Sequence, residues 1–349
     1  MAAEILQLGL GLITQIGHRE VHFRTHRSAS GAVALRTADD VFLLASQCAD
    51  IGVAKQGAST LGRLADLADL DSLLRRVRGG PVPLTGVEVS ASFLGRRNFN
   101  RYDVEDTVGH ALARRLAVRY HSRRAGEGPP RNCTGWRVTL DGEHATLMLR
   151  IADRPLHRRD YRQRSVPGSL HPPLAAAMAR MADIRPGHTV VDPSCGAGTL
   201  LAEAARQQPR ARLYGFDLDV SALRASEENA AGLPVGFVRA DAGHLPLPDG
   251  SIDRILNNPP WGGQVSPGGL LAASTSFWWA ELRRVLAPGA TATVLLPGLE
   301  DLPTGIRHGL VPIHLQRVRI SGAQSFLVHL AAPGKQERRK PRGRYDTPM

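Results

Sequence analysis

The stretch Val190-Val191-Asp192-Pro193-Ser194-Cys195-Gly196-Ala197-Gly198-Thr199-Leu200-Leu201-Ala202 constrains the fold more than any other part of this 349-residue chain. A short apolar run ends on an acid, a loop of small residues follows, and a helical pattern opens directly after it. That order reads as strand, tight glycine turn and helix, and it predicts a nucleotide-binding crevice at the carboxyl end of a strand.

The residues narrow the choice of nucleotide. A dinucleotide fingerprint needs a third glycine three positions after the second, and Leu201 stands there. Asp192 at the start of the loop repels a pyrophosphate and suits a cation. S-adenosylmethionine carries an ammonium group, a sulfonium and a ribose but no phosphate, and an acid beside a glycine loop suits its amino-acid end.

The following segments repeat the pattern. Ala211 to Asp217 reads as a second strand ending on an acid placed to accept from ribose hydroxyls. Pro234 to Ala240 reads as a third, ending at Asp241-Ala242, where a carboxylate can accept from an adenine amino group. Ser251 to Leu256 reads as a fourth and runs into Asn257-Asn258-Pro259-Pro260-Trp261-Gly262. One strand-end acid is commonly a helix cap or a turn residue. Three in succession followed by Asn-Pro-Pro-Trp ask for a common explanation.

Asp-Pro-Ser-Cys-Gly-Ala-Gly-Thr, Gly-Phe-Asp-Leu-Asp, Ala-Asp-Ala and Asn-Pro-Pro-Trp-Gly, in this order, resemble the class I S-adenosylmethionine-dependent methyltransferases. The resemblance implies a Rossmann-like α/β domain with a seven-stranded sheet. It implies cofactor contacts from Asp192, Ser194, Gly196, Gly198, Asp217, Asp241 and Ala242. The Asn-Pro-Pro-aromatic signature belongs to the members that methylate planar exocyclic amines or amides, and it implies catalytic roles for Asn258, Pro259, Pro260 and Trp261. The chemistry explains the residue types. Such a nitrogen has its lone pair delocalised into a ring or carbonyl, so it is a poor nucleophile. The Asn258 side-chain oxygen and the Pro259 carbonyl can accept its protons, while Trp261 offers a flat face for stacking.

Charge points to the substrate. Net charge is +12, and the cations are overwhelmingly arginine, which pairs with phosphate in bidentate fashion and stacks on bases. A nucleic-acid partner is therefore expected, although arginine enrichment can also follow from a genome's base composition. No apolar run reaches the length of a membrane span, and no signal-peptide pattern precedes the first strand. Cys48, Cys133 and Cys195 are too scattered for a zinc or iron-sulfur site and odd in number for a disulfide framework, so a cytoplasmic location is expected. His18, His22 and His26 recur every fourth residue, but the intervening Val-His-Phe-Arg reads as a strand and no carboxylate partner is evident. No metal centre is expected.

Ahead of the methyltransferase pattern, short apolar stretches over Glu4 to Ile16 and Ala34 to Ser46 suggest a small α+β unit. Leu64, Leu67, Leu70, Leu74 and Val77 fit one helical face that stops at Gly79-Gly80-Pro81. Val87 to Phe93 alternates as a strand and ends in Gly95-Arg96-Arg97-Asn98-Phe99-Asn100-Arg101-Tyr102. Arginines, asparagines and aromatics on a turn are the donors and stacking planes of single-stranded RNA recognition. Val104, Val108, Leu112 and Leu116 then form the apolar stripe of a helix, and Trp136 to Leu140 with Ala145 to Ile151 form a hairpin about Asp141-Gly142.

The turn and its helix resemble the THUMP domain of RNA-modifying enzymes. In that family a ferredoxin-like unit precedes THUMP, and the two hold the single-stranded 3′ end of tRNA. The resemblance implies RNA contacts from Arg96, Arg97, Asn98, Phe99 and Arg101. The basic segment 154–172 resembles the bridge that precedes the catalytic domain in such enzymes, where part of it caps the cofactor. Here His171 replaces a more usual lysine, and a plain linker remains the alternative.

The expected organisation is a ferredoxin-like domain over residues 1–62 and a THUMP RNA-binding domain over 63–153. A linker and methyltransferase domain over 154–333 follow, then a basic disordered tail over 334–349. Beyond Trp261, a helix with Phe277, Trp278 and Trp279 in its core face, a fifth strand over Thr291 to Leu296 and a hairpin from Ile313 to Leu330 complete the sheet. The function implied is S-adenosylmethionine-dependent methylation of a guanine N2 in tRNA, with position 6 favoured over 10 and the acceptor stem and 3′ end as binding partners. An rRNA guanine-N2 methyltransferase, a protein glutamine methyltransferase and an RNA-binding protein with an inactive cofactor site are the alternatives.

Overall fold

A computed structural model describes residues 1–334 except 18, 79–82, 127, 131, 264 and 321. The expected basic tail lies outside these residues apart from Gly334, as do His18 and the Gly79-Gly80-Pro81 stop. The chain divides into two compact units, Met1–Arg158 and Arg159–Met349. Among the described residues no helix is long and apolar enough to cross a membrane.

The first unit holds a hairpin of β1 (Leu12–Gly17) and β2 (Glu20–Arg24) and a five-stranded sheet. The sheet is built from β3 (Phe42–Ala49), β4 (Gly86–Phe93), β5 (Arg119–Tyr120), β6 (Cys133–Leu140) and β7 (His144–Arg150), in the order β3-β7-β6-β4-β5. The expected boundary at residue 62 cuts this sheet, because β3 pairs antiparallel with β7 along its length. That pairing joins segments about a hundred residues apart, and no local pattern announces it. His22 on β2 does have a carboxylate neighbour, Glu20, 3.1 Å away.

The helix Arg101–Leu116 packs Val104, Val108 and Leu112 into the core of this sheet, as the stripe predicts. Its N-terminus is closed by a capping box in which Asn100 accepts from the Asp103 backbone and Asp103 accepts from the Asn100 N–H. The single helix expected from Leu64 to Val77 is two, Arg63–Leu67 and Leu70–Arg78. Ala68 is extended, and the Asp69 side chain accepts the Ser72 N–H, so the acid restarts the helix and turns its axis.

The second unit is a seven-stranded sheet of β8 (Thr189–Asp192), β9 (Arg212–Asp217), β10 (Val235–Arg239), β11 (Ile252–Asn257), β12 (Leu286–Leu296), β13 (Val311–Ile320) and β14 (Ala323–Ala331). The order is β10-β9-β8-β11-β12-β14-β13, parallel except for β14, which runs antiparallel to both its neighbours. Val190 and Leu256 face one apolar cluster, with Met178, Leu200 and Leu201 from helices. Val191 and Ile255 face another, with Trp278, Trp279 and Leu282. Both faces of the strands are covered, which is why they read as unbroken apolar runs. The strand order reverses between β8 and β11, so a crevice opens at their carboxyl ends.

Candidate active site

That crevice is a cavity of about 1070 Å³ within the second unit. Its walls include Asp192, Ser194, Gly196, Asp217, Ala242, Asn258, Pro259, Pro260 and Trp261, so most residues singled out in the sequence converge on one space. The volume lies just above the range of about 300–1,000 Å³ usual for small-molecule sites and leaves room for a nucleoside cofactor with a base beside it.

Asp192 ends β8 and is 1% exposed. Its Oδ1 accepts from Asn257 Nδ2 at 2.7 Å and from the Ser194 N–H at 3.2 Å. Burial pushes the carboxyl up to about 7; the Asn257 amide and the Ser194 N–H pull it down, and the charge of Asp217 adds to the rise. The loop after it turns through Gly196 (φ 52°) and Gly198 (φ 73°). A Cβ on Gly198 would come within 2.9 Å of Ser226 Cβ, so glycine lets the loop lie against the neighbouring helix Val220–Asn229.

Asp217 ends β9. Its Oδ2 accepts from the Gly196 N–H and its Oδ1 from the Asp219 N–H, each at 2.9 Å, which holds the acid at the cavity wall with a further acceptor site on each oxygen. Asp241 behaves differently. Its oxygens take the Gly243 and Leu270 N–H groups at 2.8 and 2.9 Å, and Ala240 and Ala242 line the cavity in its stead. Each of its oxygens holds one backbone N–H, as in Asp217; the difference is that Asp241 itself, expected at the adenine, is not among the cavity walls.

Asn258 follows β11. Its Nδ2 donates to the Gly168 carbonyl at 3.3 Å, and among the described residues no donor reaches its Oδ1. Pro259 and Pro260 stiffen the chain beyond it. The half-buried Trp261 indole donates to the Leu295 carbonyl at 3.2 Å and meets Trp278 edge-on at 5.6 Å. Trp278 and Trp279 are fully buried, as expected of core residues, whereas Phe277 is 47% exposed.

The lining suits a cationic cofactor. Asp192, Asp217 and Asp219 face the cavity, and Arg162 and His171 are the only basic residues among its described walls. A buried carboxyl held near neutrality gains from a positive ligand, whereas a pyrophosphate meets acids on this wall.

Comparison with known proteins agrees with this geometry. The model of the RMKL-like methyltransferase domain matches residues 159–325. The tRNA (guanine(6)-N2)-methyltransferase of Thermus thermophilus is 38% identical over 236 residues, covering 64% of this chain and 67% of that protein. The chain belongs to the RMKL-like methyltransferase family. The crystal structure of TrmN from Thermus thermophilus superposes with a TM-score of 0.72 at 29% identity over 95% of both chains. The human U6 snRNA (guanine-N(2))-methyltransferase THUMPD2 is 32% identical over 174 residues, 46% of this chain and 34% of that protein. The chain thus spans about a third of the length of that relative. The second unit is a class I fold, and S-adenosylmethionine is the cofactor of this methyltransferase.

Two working residues of the methyltransferase unit escaped the motifs. Asn257, fully buried, donates to both Asp192 Oδ1 and Ser194 Oγ, and its own Oδ1 has no partner among the described residues. Its only sequence signal is an amide as the last residue of an apolar strand. Asn229 is also buried, and its signal is equally slight, a polar side chain one turn after Ser226 on the packed face of a helix. The bridge segment lines the cavity through Arg162, Val166, Pro167, Gly168, Ser169 and Leu170, so it is more than a linker.

The turn expected to contact RNA, in the first unit, is only partly exposed. Arg97 is folded inward, with its two terminal nitrogens on the Asp50 carboxylate at 2.7 and 2.8 Å and the Gly52 carbonyl at 2.6 Å. Phe99 is 6% exposed and packs edge-on against Phe93. Both are held by the core, which removes them from the outer surface. Arg96, Asn98 and Arg101 are exposed, and Arg101 and Arg124 lie 4.7 and 5.2 Å from the Tyr102 ring.

Proposed function

We propose that this methyltransferase modifies the exocyclic N2 of a guanine in tRNA, at position 6 rather than 10. The observation that carries the reading is the orientation of Asn258. With its Nδ2 donating to the Gly168 carbonyl, the side chain keeps Oδ1 as an open acceptor among the described residues, and Asn258 and Pro259 both line the cavity. S-adenosylmethionine supplies an electrophilic methyl group. The protein's part is to make a poor nucleophile competent. Asn258 Oδ1 and the Pro259 carbonyl accept hydrogen bonds from the amino group, which draws the nitrogen lone pair out of the purine ring and fixes its direction; the proton that the methyl replaces leaves to solvent. Trp261 gives the base a flat wall, and a target inside the crevice has to leave its helix.

The Thermus relative is named for guanine 6 of tRNA, which supports that position. Net charge of +12 and the exposed Arg96, Asn98 and Arg101 suit a first unit that acts as a THUMP module on the acceptor stem and 3′ end. Three unpaired cysteines suit action in the cytoplasm. The test is mass spectrometry of digested tRNA and rRNA from a deletion strain. Loss of N2-methylguanosine from tRNA, mapped to nucleotide 6, supports the reading; loss from rRNA alone reassigns the substrate.

A further inference from the structure

We propose that Asn229 is a positioning residue that ties the cofactor loop to the strap orienting Asn258. The strap is the segment 159–170, and its start is anchored on the helix that follows the glycine loop. Arg159 Nε and the Tyr161 hydroxyl both donate to Glu203 Oε1, at 3.0 and 2.9 Å. Asn229 is the second anchor. It is the last residue of the helix Val220–Asn229 and only 2% exposed. Its Oδ1 accepts from the Gln163 and Arg164 N–H groups at 2.8 and 3.0 Å. Its Nδ2 donates to the Arg164 and Ala197 carbonyls, each at 2.9 Å. All four hydrogen-bonding positions of one buried amide are filled, three by the strap and one by the loop between Gly196 and Gly198.

From there the strap turns back over the cavity. The Val166 N–H donates to Ser169 Oγ at 2.9 Å and the Ser169 N–H to the Val166 carbonyl at 3.0 Å. Gly168 inside that turn has φ 74°, and a Cβ there would reach 2.8 Å from Val265 Cγ2. Its carbonyl receives the Asn258 Nδ2. A continuous set of contacts therefore runs from Ala197 through Asn229 and the strap to Asn258. An amide does what no carboxylate or aliphatic residue does at position 229, since the site needs two acceptances and two donations in one plane.

The catalytic arm of this inference rests on the methyl-transfer reading; the binding arm does not. Full-length wild type, Asn229→Ala and the near-isosteric Asn229→Asp are compared by calorimetry with S-adenosylhomocysteine and by limited trypsin digestion, which reports on Arg162 and Arg164. Both variants should bind S-adenosylhomocysteine about tenfold more weakly and be cut faster within the strap. At saturating S-adenosylmethionine their kcat on tRNA should stay reduced, because the Asn258 amide has lost its guide; a residue serving stability alone moves the melting temperature and not this limit. Cooperatively melting variants with wild-type affinity and wild-type digestion overturn the inference. If wild type binds S-adenosylhomocysteine with a protected strap but methylates no tRNA, the substrate reading fails and the role of Asn229 stands.

Discussion

Asn257 Nδ2 lies 2.7 Å from Asp192 Oδ1, joining the last residues of β11 and β8 where the strand order reverses. The amide thus holds a buried acid at the one place in the sheet where a ligand can enter between diverging loops.

The acid should make cofactor binding depend on pH. Its carboxyl sits at about 7 in the free protein, whereas an unfolded aspartate titrates near about 4. The native state therefore holds the extra proton between these values, and this group's contribution to the stability of the ligand-free protein is lost as pH rises through about 7. A cationic ligand favours the carboxylate, so affinity should climb with pH up to about 7 and then level off. Calorimetry at pH 6 in two buffers of different ionisation enthalpy should show proton release on binding; equal enthalpies would mean that the acid does not ionise on binding.

Asn257→Ala removes the strongest partner of that acid. The carboxyl should move further up, and the rise of affinity with pH should shift to more alkaline values. Loss of buried hydrogen bonds to Asp192 and Ser194 should cost about 1–3 kcal/mol in urea unfolding. A variant with the wild-type pH profile would remove Asn257 from the control of Asp192.

Asn258→Ala deletes the acceptor facing the cavity while leaving the acid-lined cofactor wall intact. We expect kcat to fall by about 10²-fold or more, with S-adenosylhomocysteine affinity within about twofold of wild type. Single-turnover methylation of tRNA at saturating cofactor is the measurement, and near-normal rates would exclude the amide from the chemistry.

Arg97 and Arg96 should separate cleanly. The side chains of the Arg97–Asp50 pair are 4% exposed, and Arg97→Ala leaves Asp50 with only the Gly52 and Gly142 N–H groups, so it should cost about 1–3 kcal/mol of stability in the first unit. Arg96 is exposed, and Arg96→Ala should leave unfolding unchanged while weakening tRNA binding and lowering its salt slope by about one ion. Equal loss of stability in both variants would contradict this division.

The methyltransferase sheet was legible because its strands are continuous apolar runs and its working residues stand at their ends, where short motifs record them. Asp192, Asp217 and Asn258 lie at the cavity for that reason. Asp241 carries the same strand-end signal but stands outside the cavity walls, its two oxygens taking the Gly243 and Leu270 N–H groups, a difference that no local pattern records. Arg97 and Phe99 look in sequence like the exposed residues beside them; only Asp50 and Phe93, distant or across the turn, decide that they point inward. Asn229 has partners in two separate segments, the strap and the glycine loop, and such convergence leaves no trace in either of them.

Trp261 is held by two contacts before any base arrives. Its indole N–H is pinned to the Leu295 carbonyl and its edge rests on the buried Trp278 ring. A wall braced in this way favours placing the distortion needed for docking on the nucleic acid. Helices that already breathe or carry a mismatch at the target should be modified faster than perfectly paired ones.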